Sequence, residues 1–264
     1  MWPLSFPKGL RQTFRPRRRL AIAEACLIGL IAALAAVLLK VGSGWLGGWR
    51  VYASYQLPAW FILPAIGLGF GFVAGWLVEQ FGMEASGSGI PQVKAALALF
   101  PMALNLRVAL VKLLSCIFAL GSGLALGRQG PTVQVGAALA GELSNLIPTS
   151  PDHRRQMIAA GAGAGLAAAF NAPIAGVLFV VEELLHDVSG FTLGTAIIAS
   201  FIGAVVSRLL GGRSLELNLA LTTSQTSFSI PELPFYLILG VSCGLLGALF
   251  CRGVFASLIF YQRT

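Results

Sequence analysis

With 264 residues, 56% of them hydrophobic and only 11% charged, and a mean hydropathy of +0.82, the chain holds less than half the charge usual in a soluble domain. It is read as a polytopic membrane protein. The net charge of +8 does not point to nucleic acid, because the basic residues form no nucleic-acid module. The lipid bilayer is therefore the expected partner.

The densest basic group, Arg15-Pro16-Arg17-Arg18-Arg19, immediately precedes the first apolar run. This asymmetry predicts a cytoplasmic N-terminus, in a membrane of the bacterial inner or plasma type. Residues 1–19 are read as a basic cytoplasmic segment and 20–264 as one transmembrane domain. A secretory leader is the competing reading, but the run from Leu20 to Leu39 exceeds the 7–15 residues of a leader's apolar core.

Runs near the roughly 20 residues that cross a bilayer follow at Leu20–Leu39, Leu57–Val78, Val108–Leu126, Met157–Val181, Phe191–Leu210 and Phe235–Phe250. Shorter runs at Val93–Leu104 and Thr132–Ile147 suit half-spanning or re-entrant helices. Glu24 lies near the start of the first span. Gly42–Gln56, with Trp45, Trp49, Tyr52 and Tyr55, resembles an interfacial aromatic belt. Gly67, Gly71 and Gly75 recur every four residues and predict a smooth helix-packing groove.

Pro148–Gln156 reads as a polar loop in which Ser150 caps the following helix. The Gly161–Gly165 alternation lacks the strand and the third glycine of a dinucleotide loop, so it is assigned to helix packing. Asn171 is expected to cap a helix opened by Pro173. Leu209–Leu233 reads as a mostly polar connector. Cys26, Cys116, Cys243 and Cys251 lie within apolar runs and match neither a disulfide framework nor a metal motif, so no metal and no cofactor is expected.

Two turns carry the chemistry. Gly127-Arg128-Gln129-Gly130-Pro131 joins two apolar segments, and Gly87-Ser88-Gly89-Ile90-Pro91 repeats its grammar. In each, glycines turn the backbone and a proline suits the first turn of a helix, whose unpaired N–H groups and positive dipole end attract anions. Two such helix starts suggest broken helices meeting at one pore. An anion that must be both dehydrated and released is better served by N–H groups and hydroxyls than by a buried lysine. The candidate ligands are Ser88, Gly89, Ile90, Arg128, Gln129 and Gly130.

These turns, together with Phe170-Asn171-Ala172-Pro173 and the Glu182-Glu183 pair, resemble the CLC family of chloride channels and proton-coupled chloride exchangers. Family members carry GSGIP, GREGP-like and AAAFNAPLAG…EE stretches in this order. The segment from Gly165 to Glu183 matches the last almost throughout. The resemblance covers about the first half of a usual member. It implies an all-α membrane fold, the first of two inverted repeats, with chloride as the transported ion and a homodimer with one pore per subunit.

The resemblance also exposes departures. Gln129 stands where the family has a glutamate that gates the chloride path and carries the exchanged proton, and an amide has neither charge nor titrating proton. Passive, channel-like conduction is therefore expected, with proton-coupled antiport as the alternative. Glu183 aligns with the family's intracellular proton-transfer glutamate. Gln92 and Lys94 replace acidic residues common in exchangers, and Lys94 is placed to pair with Glu183. The second repeat's GxFxP motif does not occur after Phe235, so a second half, in cis or trans, is expected for a complete pore. A truncated or structural subunit is the further alternative.

No catalytic residue is assigned. An intramembrane serine protease built on Ser88 or Ser122 would need a histidine facing the serine within a helix, and His153 and His186 lie in a polar loop and beyond a helix end.

Overall fold

The structure, a computed structural model, describes residues 10–56, 58–146, 150–185, 190–211 and 230–263. All regular elements among the described residues are helical: α1 (Leu10–Gln56), α2 (Ala59–Phe81), α3 (Ile90–Leu97), α4 (Leu106–Gly121), α5 (Gln129–Leu146), α6 (Pro151–Phe170), α7 (Pro173–Phe179), α8 (Gly190–Gly211) and α9 (Leu233–Arg263). The chain divides into two units, Met1–Leu215 and Glu216–Thr264. In the second, α9 follows a 3-10 turn at Ile230–Glu232, and the Tyr236 hydroxyl donates to the Glu232 carboxylate at 3.2 Å. Of the expected connector Leu209–Leu233, residues 212–229 lie outside the described residues.

Four helices are long and apolar enough to cross a membrane, at Leu20–Gln56, Ala59–Phe81, Thr192–Gly211 and Leu233–Phe260. The protein is thus an integral, multi-pass membrane protein. Shorter helices stand between them. The eight residues of α3 rise about 12 Å, under half the roughly 30 Å of a hydrocarbon core.

Several boundaries differ from the sequence reading, each for a local reason. The aromatic stretch after Gly42 continues the 47-residue α1, since no proline lies between Leu20 and Gln56 to interrupt it. There Trp49 stacks on Phe70 of α2 with ring centroids 5.9 Å apart. The run Val108–Leu126 stops being helical after Gly121. Arg50 of α1 packs over Gly123 and its Nη1 donates to the Ser122 carbonyl at 3.3 Å, so an α1 side chain closes the end of α4. The expected loop Pro148–Gln156 is already helical from Pro151, and Ser150 caps it as read, accepting the His153 N–H at 3.3 Å.

Asn171 does the opposite of what was expected. It ends α6 in a left-handed conformation, φ 54°, while α7 begins after Ala172 without a side-chain cap. A short polar side chain tolerates that conformation, so Asn171 closes α6, while Pro173 opens α7 as the sequence predicts.

The first unit is centred on α5, α6 and α8 with α1 against them. A side chain at Gly161 would run into the Gly136 carbonyl, and one at Gly165 into that of Thr132. The glycine alternation therefore serves close backbone packing between α5 and α6. The groove of Gly67, Gly71 and Gly75 behaves differently: a Cβ at any of the three would meet no atom within 4 Å, so among the described residues nothing packs into it.

Candidate anion site

Three side chains take the carbonyls of Gly87 and of the three residues that lead into the GSGIP turn. Lys112 of α4, a cation in an apolar run, is buried and donates to the carbonyls of Ala85 at 2.9 Å and Gly87 at 2.6 Å. Gln134 of α5, wholly buried, donates from Nε2 to the Glu84 carbonyl at 2.7 Å. Gln92 of α3 donates from Nε2 to the Ser86 carbonyl at 2.7 Å and accepts the Gly89 N–H on Oε1 at 3.1 Å. The carbonyls from Glu84 to Gly87, the negative ends of the peptide dipoles, are all engaged.

The second turn packs backbone to backbone against the first. Gly89 adopts φ 100°, and a Cβ there would lie 2.9 Å from the Gly130 carbonyl oxygen and 2.8 Å from Cβ of Gln134. A Cβ on Gly130 would collide with the Ser88 carbonyl. Both positions require glycine, the first on conformational as well as steric grounds. Helix α5 opens at Gln129, two residues before Pro131, and the Thr132 hydroxyl donates to the carbonyls of Arg128 and Gln129 at 3.1 and 2.9 Å. The Gln129 amide folds back over Gly127, where a Cβ would lie 2.7 Å from Nε2.

The candidate ligands therefore share one locus: Ser88, Gly89 and Ile90 on one turn, Arg128, Gln129 and Gly130 on the other. Ser88 and Gln129 are exposed and Gly89 and Gly130 buried. Ser88 does not cap α3, since the cap position belongs to Gly89. The Gly89 N–H is already committed to Gln92, which leaves Ser88 as the hydroxyl donor of this turn.

Glu183 stands apart from the turns, in a π-helical stretch over Val180–Leu185 that continues α7. Its Oε1 lies 2.7 Å from Lys94 Nζ of α3, the pairing expected from sequence. Glu182 is exposed. Sequence reading passed over Lys112 and Gln134, although a cation within an apolar run was itself a signal. It also missed the pair between Glu24 Oε2 of α1 and His153 Nε2 of α6, 2.6 Å apart.

Of the residues considered for proteolysis, the Ser122 hydroxyl donates to its own helix at the Ala119 carbonyl, 2.7 Å away. His153 faces Glu24, and His186 lies outside the described residues.

Comparison with known proteins agrees with this architecture. A family model described as "Voltage gated chloride channel" matches residues 70–264. The H(+)/Cl(-) exchange transporter ClcA of Vibrio vulnificus is 33% identical over 237 residues, covering 86% of this chain and 50% of the relative. That of Vibrio cholerae is 37% identical over 200 residues, covering 74% and 42%. The chain thus spans about half the length of the curated relatives it matches. Among solved structures, a slow cyanobacterial Cl-/H+ antiporter is similar with a TM-score of 0.80 and 29% identity, over 92% of this chain and 58% of that one. A eukaryotic CLC transporter is similar with a TM-score of 0.71 and 27% identity, over 88% and 42%. These are transport proteins and not enzymes, and by the matched residues and the shared fold the chain belongs to the CLC family.

Proposed function

We propose that the chain supplies one wall of a transmembrane anion pathway and that chloride is the ion moved. The observation that carries this reading is the meeting of the two turns at Gly89 and Gly130. Lys112, Gln134 and Gln92 hold the carbonyls of Gly87 and of the three residues before it, while Ser88 stays exposed. Carbonyls drawn aside and a free hydroxyl beside helix starts make a site for an anion.

Within this reading, Gln129 supports conduction without obligatory proton exchange, because its amide can neither block the path with charge nor carry a proton. Coupled exchange is the second reading, supported by the exchangers among the relatives and by the presence of Glu183. A complete pathway is proposed to need a second half, in cis or in trans, within a homodimer inserted with its N-terminus in the cytoplasm. The reading of a subunit inactive alone predicts insertion without flux.

The test is chloride efflux from liposomes holding the purified chain, with a pH electrode in the bath. Efflux without proton movement, reduced by Ser88→Ala, supports passive conduction. Proton uptake locked to the chloride gradient in the unsubstituted protein supports exchange and removes the Gln129 argument. No efflux from folded protein supports the requirement for a second half.

A further inference from the structure

Gln92 makes two contacts that one neutral amide can make and a carboxylate cannot. Its Oε1 accepts the Gly89 N–H at 3.1 Å and its Nε2 donates to the Ser86 carbonyl at 2.7 Å, so the side chain bridges the two residues that bracket Gly87 and Ser88. Gly87, at φ 68°, would bring a Cβ to 3.2 Å from the same Nε2, so the amide lies along the inner side of the turn. An ionised carboxylate carries acceptors only. At position 92 it would keep the Gly89 contact but set an oxygen against the Ser86 carbonyl, and would place a full negative charge beside the exposed Ser88.

We propose that Gln92 is a positioning residue that also sets the affinity of the anion site. Its amide clamps Ser86 to Gly89, fixes the direction of the Ser88 hydroxyl and withdraws the Gly89 N–H from the donor set, without adding charge. The clamp acts at any pH, because an amide does not titrate. The charged groups on packed elements do not duplicate it: Lys112 of α4 holds the carbonyls of Ala85 and Gly87, Lys94 of α3 is paired with Glu183, and Glu84 reaches Gln134 through its backbone. This inference rests on reading the turn as an anion site.

The test is chloride-dependent thermal stabilisation of the purified full chain in detergent, with gluconate balancing ionic strength, at about pH 7.5 and about pH 3.3, on either side of the ordinary glutamate value of about 4.3. Unsubstituted protein, Gln92→Glu and Gln92→Met are compared. The unsubstituted protein serves as the reference for every other group that titrates in this interval. Gln92→Glu is expected to raise the half-saturating chloride concentration about tenfold at the higher pH and to recover most of that at the lower, where a protonated carboxyl can donate to Ser86. Gln92→Met, lacking both clamp and charge, is expected to weaken chloride by a similar factor at both.

Equal chloride response in all three proteins overturns the role of Gln92 and leaves the anion site standing. Equal weakening of Gln92→Glu at both pH values overturns the charge argument. If Gln92→Glu does not fold, a folded Gln92→Met with unaltered chloride response overturns the clamp. No chloride response in the unsubstituted chain overturns the anion site and this inference together.

Discussion

Lys94 Nζ and Glu183 Oε1 lie 2.7 Å apart, joining α3, the helix behind the GSGIP turn, to the π-helical stretch after α7. The residues are 89 positions apart, and the contact is the link between the anion locus and the carboxylate that the family resemblance assigns to proton transfer. Their side chains are 42% and 48% exposed, so solvent screens much of the attraction. Lys94→Ala is expected to cost less than about 1 kcal/mol in unfolding, falling further at high salt. Chemical denaturation in detergent at low and high salt checks this, and a larger, salt-insensitive loss would place the pair in a low-dielectric setting.

The two glycine positions at the turn crossing should be far less tolerant than the open groove on α2. A Cβ at Gly130 meets the Ser88 backbone, which cannot move aside as a flexible side chain can. Gly130→Ala is expected to destabilise by about 2 kcal/mol or more. Gly71→Ala meets nothing within 4 Å, and its better helix propensity should leave stability equal or raised by up to about 1 kcal/mol. Paired thermal melts decide, and equal losses would show that the turns do not pack as described.

Lys112, itself buried, holds the carbonyls of buried Ala85 and of Gly87. Lys112→Met keeps the stem but leaves both carbonyls without that donor, an expected loss of about 2–4 kcal/mol. The loss falls short of two full charged hydrogen bonds because methionine also removes the desolvation cost of a buried cation. Denaturation midpoints measure the stability term, and hydrogen exchange at Gly87–Ile90 should show faster exchange localised to the turn.

Glu24 and His153 meet between α1 and α6 with side-chain exposures of 10% and 20%, a more enclosed setting than that of Lys94. A double-mutant cycle with Glu24→Gln and His153→Phe is expected to return a coupling of about 0.5–3 kcal/mol. A cycle that closes at zero would mean that the two side chains are held near each other by helix packing alone.

If Gln129 leaves the pathway ungated by charge, Gln129→Glu introduces a group that titrates where none did. Chloride efflux should then fall as pH rises through the carboxylate range, because the ionised form competes with the anion, and recover on acidification. Efflux of the unsubstituted protein should lack that component. Flux at matched chloride gradients across pH is the measurement, and an unchanged profile in Gln129→Glu would remove position 129 from the path.

Much of the fold was legible because it rests on local properties. Apolar run length marked α2, α8 and α9, and the glycine–proline turns marked the interruptions around α3 and α5. Ser150 was readable as a cap because capping depends on neighbours three residues away. Asn171 was misread because the same short polar side chain favours both a helix start and a left-handed helix end. Only the trajectory of α6 into it decides between them. The closure of α4 by Arg50 was invisible, since it comes from a residue 72 positions distant.

The sequence by itself determined the membrane class, the order of the motifs and the absence of a titrating proton at Gln129. Each is a property of single residues or of neighbours within a few positions. Tertiary structure alone decided how the carbonyls leading into the GSGIP turn are held. That depends on Lys112 and Gln134, which act on carbonyls 25–27 and 50 residues away, and on the meeting of Gly89 with Gly130. A hydrogen bond across that separation exists only once helix packing has brought donor and acceptor within 3 Å.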